Sequence, residues 1–358
     1  MNKDFNISDV KNILVIQTAF LGDIVLTIPL LNNIKKLGHN RKLTVLTIPV
    51  GKEILKGQNS IDDIIVYDKK RSDKGIKKLF ELINTIKQKK FDWAVIPHRS
   101  FRSAFLTWRA KIPNRWGFDI SEGKYFLTKK IKYNFNMHDI DRNLEFLKSF
   151  TSEFDKRIDF ESIAQVNEKV TNILDERSFQ KGKIIGINPG SVWATKRWPI
   201  DKYIELIRIL ITKGYKIVVF GDKFDQMIKE QIDSEFSNHN NFLNIIGKTT
   251  IQELTAFFRC LALYITNDSG PMHIAAALGI PIIAIFGPTT KELGFFPYTD
   301  KAVIIEKNLP CRPCGRHGSK KCPKKHFKCM KEISVEEIIN VIEKNRLQQR
   351  SKGSNLKL

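Results

Sequence analysis

The chain has 358 residues, 42% hydrophobic and 27% charged, a globular balance too long for one core, so two domains are expected. Against 60 Lys and Arg stand 38 Asp and Glu, and the formal net charge of +22 calls for an anionic partner: nucleic acid, a membrane surface or a phosphorylated substrate. Four of the five cysteines crowd into 311–329 and the fifth, Cys260, lies in an apolar run, which excludes a disulfide-stapled secreted domain.

The opening residues, MNKDFN, have neither the basic start nor the apolar core of a signal peptide. The apolar stretch 13–31 is interrupted by Gly22, Asp23 and Pro29, so it reads as strand, turn and helix rather than a membrane span, and 274–286 is too short to cross a bilayer. The expected location is the cytoplasm. Strands are expected at 12–17, 42–47, 63–67 and 93–96, with helices at about 23–37, 75–89, 100–110 and 138–150. Periodicity weakens over 161–182, which reads as a linker, and then the alternation restarts. Strands at 183–188, 216–220, 262–266 and 281–286 alternate with helices at 199–213, 224–236, 251–259 and 271–278. A closing helix covers 334–344, and the polar segment 347–358 reads as a disordered tail. Alternation of this kind predicts α/β architecture: a parallel sheet covered on both faces in each of two domains, 1–160 and 183–346. Such sheets bind ligands at the carboxyl ends of their strands, in a cleft if the two halves face one another.

Three segments follow strands and open helices. In the first, TAFLGD, Gly22 permits close backbone approach, and Asp23 reads as a helix cap, as a general base for an acceptor hydroxyl, or as both at once. In the second, NPGSVWATKRWP, Gly190 and Ser191 offer donors and Lys196 a cation, the set a diphosphate needs, although a solvated Lys-Arg loop has the same composition. In the third, ITNDSGPMH, Ser269 and Gly270 set N–H groups at a helix start, Asp268 can accept from sugar hydroxyls and His273 lies one turn on. A simple cap and a core histidine are the plainer readings of the last two.

Taken together, ILVIQTAFLGDIVLTIPLL, PGSVWATKRWP, VVFGDKFDQ and TNDSGPMHIAAALGIPIIAIFGPT resemble the ordered motifs of glycosyltransferase family 9, the ADP-heptose:lipopolysaccharide heptosyltransferases, over about 12–343. The resemblance implies a GT-B fold, two Rossmann-like domains facing a central cleft. It implies an ADP-heptose donor on the C-terminal half, a phosphorylated lipid A-core acceptor on the N-terminal half, and inversion at the anomeric carbon. It makes Asp23 the base and Lys196 the phosphate lysine, with Ser191 beside it. Asp268, Ser269, Gly270 and His273 match the loop that grips donor sugar and diphosphate. Asp225 matches the ribose-binding acid, where the family more often shows glutamate. No pair of carboxylates stands at a strand end for Mg²⁺, so no cofactor is expected in catalysis.

Arg99, Arg102 and Arg115 are candidates for an acidic acceptor, or ordinary surface charge. Cys311, Cys314, Cys322 and Cys329 could form a structural Cys₄ zinc site, or remain free thiols or a redox-sensitive pair, since only the first spacing is C-x2-C. Basic runs at 69–71, 87–90 and 320–328 would bring the protein to the anionic inner face of the inner membrane. The rival reading, a basic nucleic-acid-binding protein, lacks aromatics interleaved with the basic runs and any recognisable binding motif, so no nucleic-acid partner is expected.

Overall fold

The computed structural model describes residues 5–38, 40–69 and 72–351, for 345–351 the backbone alone. The chain divides into two compact units, Met1–Glu161 and Ser162–Leu358.

In the first unit β1 (Asn12–Gln17), α1 (Leu21–Lys36), β2 (Lys42–Thr47), α2 (Pro49–Leu55), β3 (Asp63–Val66), α3 (Ile76–Gln88), β4 (Trp93–Ile96), α4 (Phe101–Arg109), β5 (Asn114–Phe118), β6 (Lys129–Ile131) and α5 (Asp139–Leu144) follow in order. The strands form one parallel sheet, β3-β2-β1-β4-β5-β6. β1 and β4 are buried along almost their whole length because helices cover both faces, and their sequences are accordingly apolar throughout rather than alternating. α3 is the opposite case: Leu82, Ile83 and Ile86 are buried one helical turn apart and lysines fill the other side.

The second unit begins with α6 (Ala164–Asp175). It continues through β7 (Ile184–Asn188), α7 (Ile200–Thr212), β8 (Lys216–Val219), α8 (Gln226–Phe236), β9 (Phe242–Asn244), α9 (Ile251–Phe258), β10 (Leu261–Asn267), α10 (Gly270–Ala277), β11 (Ile282–Phe286), β12 (Ala302–Glu306), α11 (Lys328–Lys331) and α12 (Val335–Ser351). Its parallel sheet runs β12-β11-β10-β7-β8-β9. Counted within each unit the two orders are the same, the dinucleotide-fold order whose chain direction reverses beside the first strand. The switch points therefore fall between β1 and β4 and between β7 and β10.

Several expectations shift. The segment 161–182 is not a bare linker: Val170 and Leu174 bury α6 against α9, which assigns it to the second unit. The helix expected over 138–150 is α5 followed by a tighter turn, Glu145–Leu147. α12 continues to Ser351, so 347–351 is helical, while 352–358 of the expected tail lies outside the described residues. α10 ends in paired bonds, Gly279 N–H to Ala276 O and Ile280 N–H to Ala275 O, with Gly279 at φ +69. Only glycine takes that left-handed position without strain, so the GIP after AAAL is the helix stop.

Candidate functional site

At the switch point of the second unit, the β7 and β10 loops are stitched together by a fully buried asparagine. Asn267, the last residue of β10, donates to Pro189 O at 2.9 Å and Gly190 O at 3.3 Å, and accepts from Trp198 N–H at 3.0 Å and Tyr203 OH at 3.1 Å. The loop carrying Lys196 is thereby fixed to the loop carrying Asp268. Lys196 Nζ meets Asp268 Oδ2 at 2.5 Å, and Thr289, just beyond β11, donates its hydroxyl to the same oxygen at 2.5 Å. Both Asp268 and Thr289 are buried. The cation expected to hold an anion is thus held over a carboxylate, poised but not free in solvent.

Ser269 precedes α10, whose first residue is Gly270, and its hydroxyl lies 3.2 Å from Thr266 Oγ1. His273 is buried one turn into α10. Ser191 offers its carbonyl to Arg197 Nε at 2.8 Å. Asp225, immediately before α8, is buried and accepts the Asp222 N–H at 2.9 Å, and Arg197 lies 3.4 Å from its other oxygen. Burial raises its pKa, with the Asp222 N–H and the Arg197 charge opposing. A Cβ on Gly190 would stand 2.3 Å from Asp225 Oδ2, so only glycine lets the β7 loop pass this carboxylate. The structure therefore gathers Ser191, Lys196 and Asp225 around the β7 loop, and Asp268, Ser269, Gly270 and His273 at the adjoining start of α10.

The cysteine segment does not stand apart. Thr195 and Ser319 exchange backbone and hydroxyl bonds at 2.7–3.1 Å, which clasps the segment to the Lys196 turn. The buried guanidinium of Arg312 bonds the carbonyls of Gly287, Lys307 and Thr289, the last at 2.8 Å, and the Glu306 carboxylate at 2.6 Å. Burial first, and then the neighbouring cysteines, push the Cys314 and Cys329 thiols up, Cys329 to about 11. Among the described residues no three His, Cys, Asp or Glu are arranged to hold a metal ion.

In the first unit α1 begins at Leu21, two residues before the expected start, so Asp23 is not the cap itself. It is the third helical residue, and its Oδ2 accepts the Phe20 N–H at 3.2 Å. Around it lies a buried network. Arg142 pairs with Asp139 at 2.8 Å and donates to the Tyr133 hydroxyl at 2.5 Å. Asn143 bridges Asp139 Oδ2, at 3.2 Å, to Leu26 O on α1, at 3.4 Å. Burial raises the Asp139 carboxyl to about 7, against the pull of Arg142 and with the help of the Asp23 charge. The charges of Asp23 and Arg99 both act on the half-buried Tyr133, which puts Asp23, Arg99, Tyr133 and Asp139 in one electrostatic neighbourhood.

Next to it a pocket of about 350 Å³ opens, lined by Thr18, Leu46, Tyr67, Lys69, Ser100, Arg102, Ser103 and Leu106. Arg102 donates to Tyr67 OH at 3.3 Å and Lys69 to Thr18 O at 3.4 Å. His98, 2.9 Å from Ser103 Oγ, is lowered to about 4 by burial and then by the Lys69 charge, so it is neutral. Lys69, expected to face a membrane, belongs to this pocket, while Lys70 and Arg71 lie outside the described residues. Arg115 is not brought here. It sits near the amino end of β5, and its guanidinium is taken up by the carbonyls of Phe126 at 2.7 Å and Ile112 at 2.5 Å.

Asn267 and Thr289 were not singled out by sequence reasoning, and Lys69 was read only as part of a basic run facing a membrane. Thr289 had a signal: it follows a buried strand, the position that identified the other three loops. Asn267 had none beyond its neighbour Asp268, because a structural asparagine and a loop asparagine look alike in sequence.

The sequence profile of glycosyltransferase family 9 (heptosyltransferase) matches residues 79–326. The chain is 28% identical over 312 residues to lipooligosaccharide heptosyltransferase 2 of Haemophilus influenzae, covering 82% of this chain and 88% of that protein. It superposes on the crystal structure of a family 9 glycosyl transferase from Veillonella parvula with TM-score 0.81 and 25% identity, over 94% of this chain and 98% of the other. On the Escherichia coli ADP-heptose lipopolysaccharide heptosyltransferase II the TM-score is 0.76 with 22% identity, over 95% and 99% of the two chains. The two doubly wound units are those of the GT-B fold, and the chain belongs to glycosyltransferase family 9, the heptosyltransferase family.

Proposed function

We propose that the chain transfers heptose from ADP-heptose to the phosphorylated inner core of a lipopolysaccharide, with inversion at the anomeric carbon. The observation that carries this reading is the Lys196–Asp268–Thr289 cluster, joined to the start of α10. The names of the Haemophilus and Escherichia relatives supply donor and acceptor. In this mechanism the donor diphosphate draws Lys196 from Asp268 and takes the Ser269 and Gly270 N–H groups at the start of α10. Developing negative charge on the leaving ADP is then met by a fixed cation and a helix dipole, without catalytic metal. Asp225 takes the ribose hydroxyls. The Asp23 carboxylate accepts the acceptor hydroxyl's proton as that oxygen bonds to the anomeric carbon. The bond from that carbon to the diphosphate oxygen breaks with its electron pair on ADP.

Lys69, Arg102 and Arg99 take the acidic groups of the acceptor, and the basic excess brings the chain to an anionic membrane, where a lipid-linked acceptor resides. Among the described residues no helix is long and apolar enough to cross a membrane. A role of the cysteine segment as a scaffold for the donor loop fits its bonds to Thr195 and Thr289. Elemental analysis decides its metal content: one zinc per chain for a Cys₄ site, none for free thiols.

The test is a thermal-shift comparison of ADP, UDP and GDP with their sugar conjugates. ADP and ADP-heptose are expected to raise Tm and the others to leave it in place. Greater stabilisation by UDP or GDP forms would replace the donor and leave a family 9 enzyme with another nucleotide sugar.

A further inference from the structure

The first unit carries an aromatic cluster that runs from the edge of its core, where Phe105 packs, out to the surface. Phe101, Phe105 and Trp108 on α4 meet Phe126 of the short turn Lys124–Phe126, with ring centroids 5.4, 5.6 and 5.1 Å from it. The cluster is not covered: Phe101 is 50% exposed, Trp108 44% and the adjoining Tyr125 84%. α4 packs on α3, whose Ile76 and Phe80 are exposed as well. Contiguous apolar surface of this kind marks an interaction site.

Its charge narrows the partner. Arg109 sits 5.8 Å from the Trp108 ring centroid and Lys124 5.7 Å from that of Tyr125, and Lys111 is exposed just after α4. No acid occurs between 100 and 111, and Glu122 is the one acid of 121–126. Apposing two copies of this face would bring like charges together, which disfavours self-association. A surface that is both apolar and anionic complements it.

We propose that the outer face of α4 docks on an anionic phospholipid bilayer, with Phe101, Trp108 and Tyr125 at headgroup depth and Arg109, Lys111 and Lys124 on the lipid phosphates. Trp and Tyr rings favour that interface because one end is apolar and the other polar. Apolar contact and attraction to anionic lipid add, and neither alone gives firm attachment. The inference rests on the proposed function for the membrane and the acceptor, and adds the face that docks. Ser100, Arg102 and Ser103 of the same α4 segment line the polar pocket, so docking here holds that pocket within one helix diameter, roughly 10 Å, of a lipid-linked acceptor.

The full chain is mixed with phosphatidylglycerol-containing vesicles and with neutral phosphatidylcholine vesicles, without donor or acceptor, so the outcome does not depend on the transferase reading. Trp108 is the exposed tryptophan, since Trp93, Trp116 and Trp198 are buried and Trp193 half-buried. Its emission is expected to shift to the blue with anionic vesicles, and the shift to vanish in Trp108→Phe while that variant still sediments with them. A paired Trp108→Ser, Tyr125→Ser variant is expected to lose at least tenfold in vesicle affinity with an unchanged Tm and unchanged turnover of a soluble deacylated acceptor. Full vesicle affinity in that variant, equal binding to neutral vesicles, or sedimentation without an emission shift would overturn the proposal. So would a dimer in light scattering that the paired substitution dissolves, which would assign the face to a second copy. Vesicle binding with no turnover of any heptose acceptor would refute the proposed function alone.

Discussion

Asp23 has a backbone role at the start of α1 that leaves room for the proposed catalytic one, as its two readings in the sequence allow. One carboxylate oxygen holds the Phe20 N–H at the start of α1, which fixes the side chain's direction without consuming both oxygens. Asp23→Ala is expected to lower kcat at least a hundredfold, the worth of a positioned base, while ADP affinity stays within about twofold. Transfer at near wild-type rate would reduce Asp23 to its backbone bond. Lys196→Ala is expected to weaken ADP by about 1.5–3 kcal/mol, the range of a charge-assisted contact, and calorimetric titration reads this directly. Asp139 gives a pH signature. Its folded pKa, about 7, lies above its unfolded value near 3.8, so between those values the folded chain holds a proton that the unfolded chain has released. Its contribution to stability therefore falls as pH rises from about 4 to about 7, by at most roughly 1.4 kcal/mol per pH unit. Denaturant midpoints of wild type and Asp139→Asn are expected to diverge across that window, and parallel profiles would remove Asp139 as the cause.

Among elements, the loops decide the site and the strands merely deliver them. The segment between β12 and α11 has little regular structure, yet Arg312 binds carbonyls at the end of β11, and Thr289 beside them donates to Asp268. Arg312→Ala would strand those buried acceptors and the Glu306 carboxylate. A loss of about 3 kcal/mol in unfolding free energy is expected, together with weaker ADP binding, measured by denaturant unfolding and titration of the same preparation. A destabilised variant with native ADP affinity would separate this segment from the donor site. Sequence periodicity missed the strands β5, β6, β9 and β12, which lie at or next to the sheet edges and are short or carry polar or charged residues, so each leaves little apolar run to recognise, and it missed α2, seven residues long, for want of length. α6 was missed because only Val170 and Leu174 of its residues are buried, too few for a clear stripe.

At the scale of the whole molecule, catalysis is expected to be independent of divalent metal, because the proposed mechanism gives a lysine and a helix start the work a diphosphate-bound cation would otherwise do. Transfer measured in excess chelator should retain most of its rate, and loss restored by Mg²⁺ would overturn the assignment of Lys196. The apolar runs of β1, β7, β10 and β11 determined by themselves that this is a parallel α/β protein in two halves, since strands buried on both faces need no partner information to be recognised. The loops Thr18–Asp23, 188–199 and 265–273 could likewise be placed, because strand ends are where such folds bind ligands. Only the tertiary structure decided what meets what. It spread the three candidate arginines among different environments, drew Lys69 from a surface run into a pocket, and joined the cysteine segment to Thr195 and Thr289. Those outcomes depend on hydrogen bonds between residues up to 124 positions apart, Thr195 and Ser319 among them, and no local periodicity encodes such a pairing.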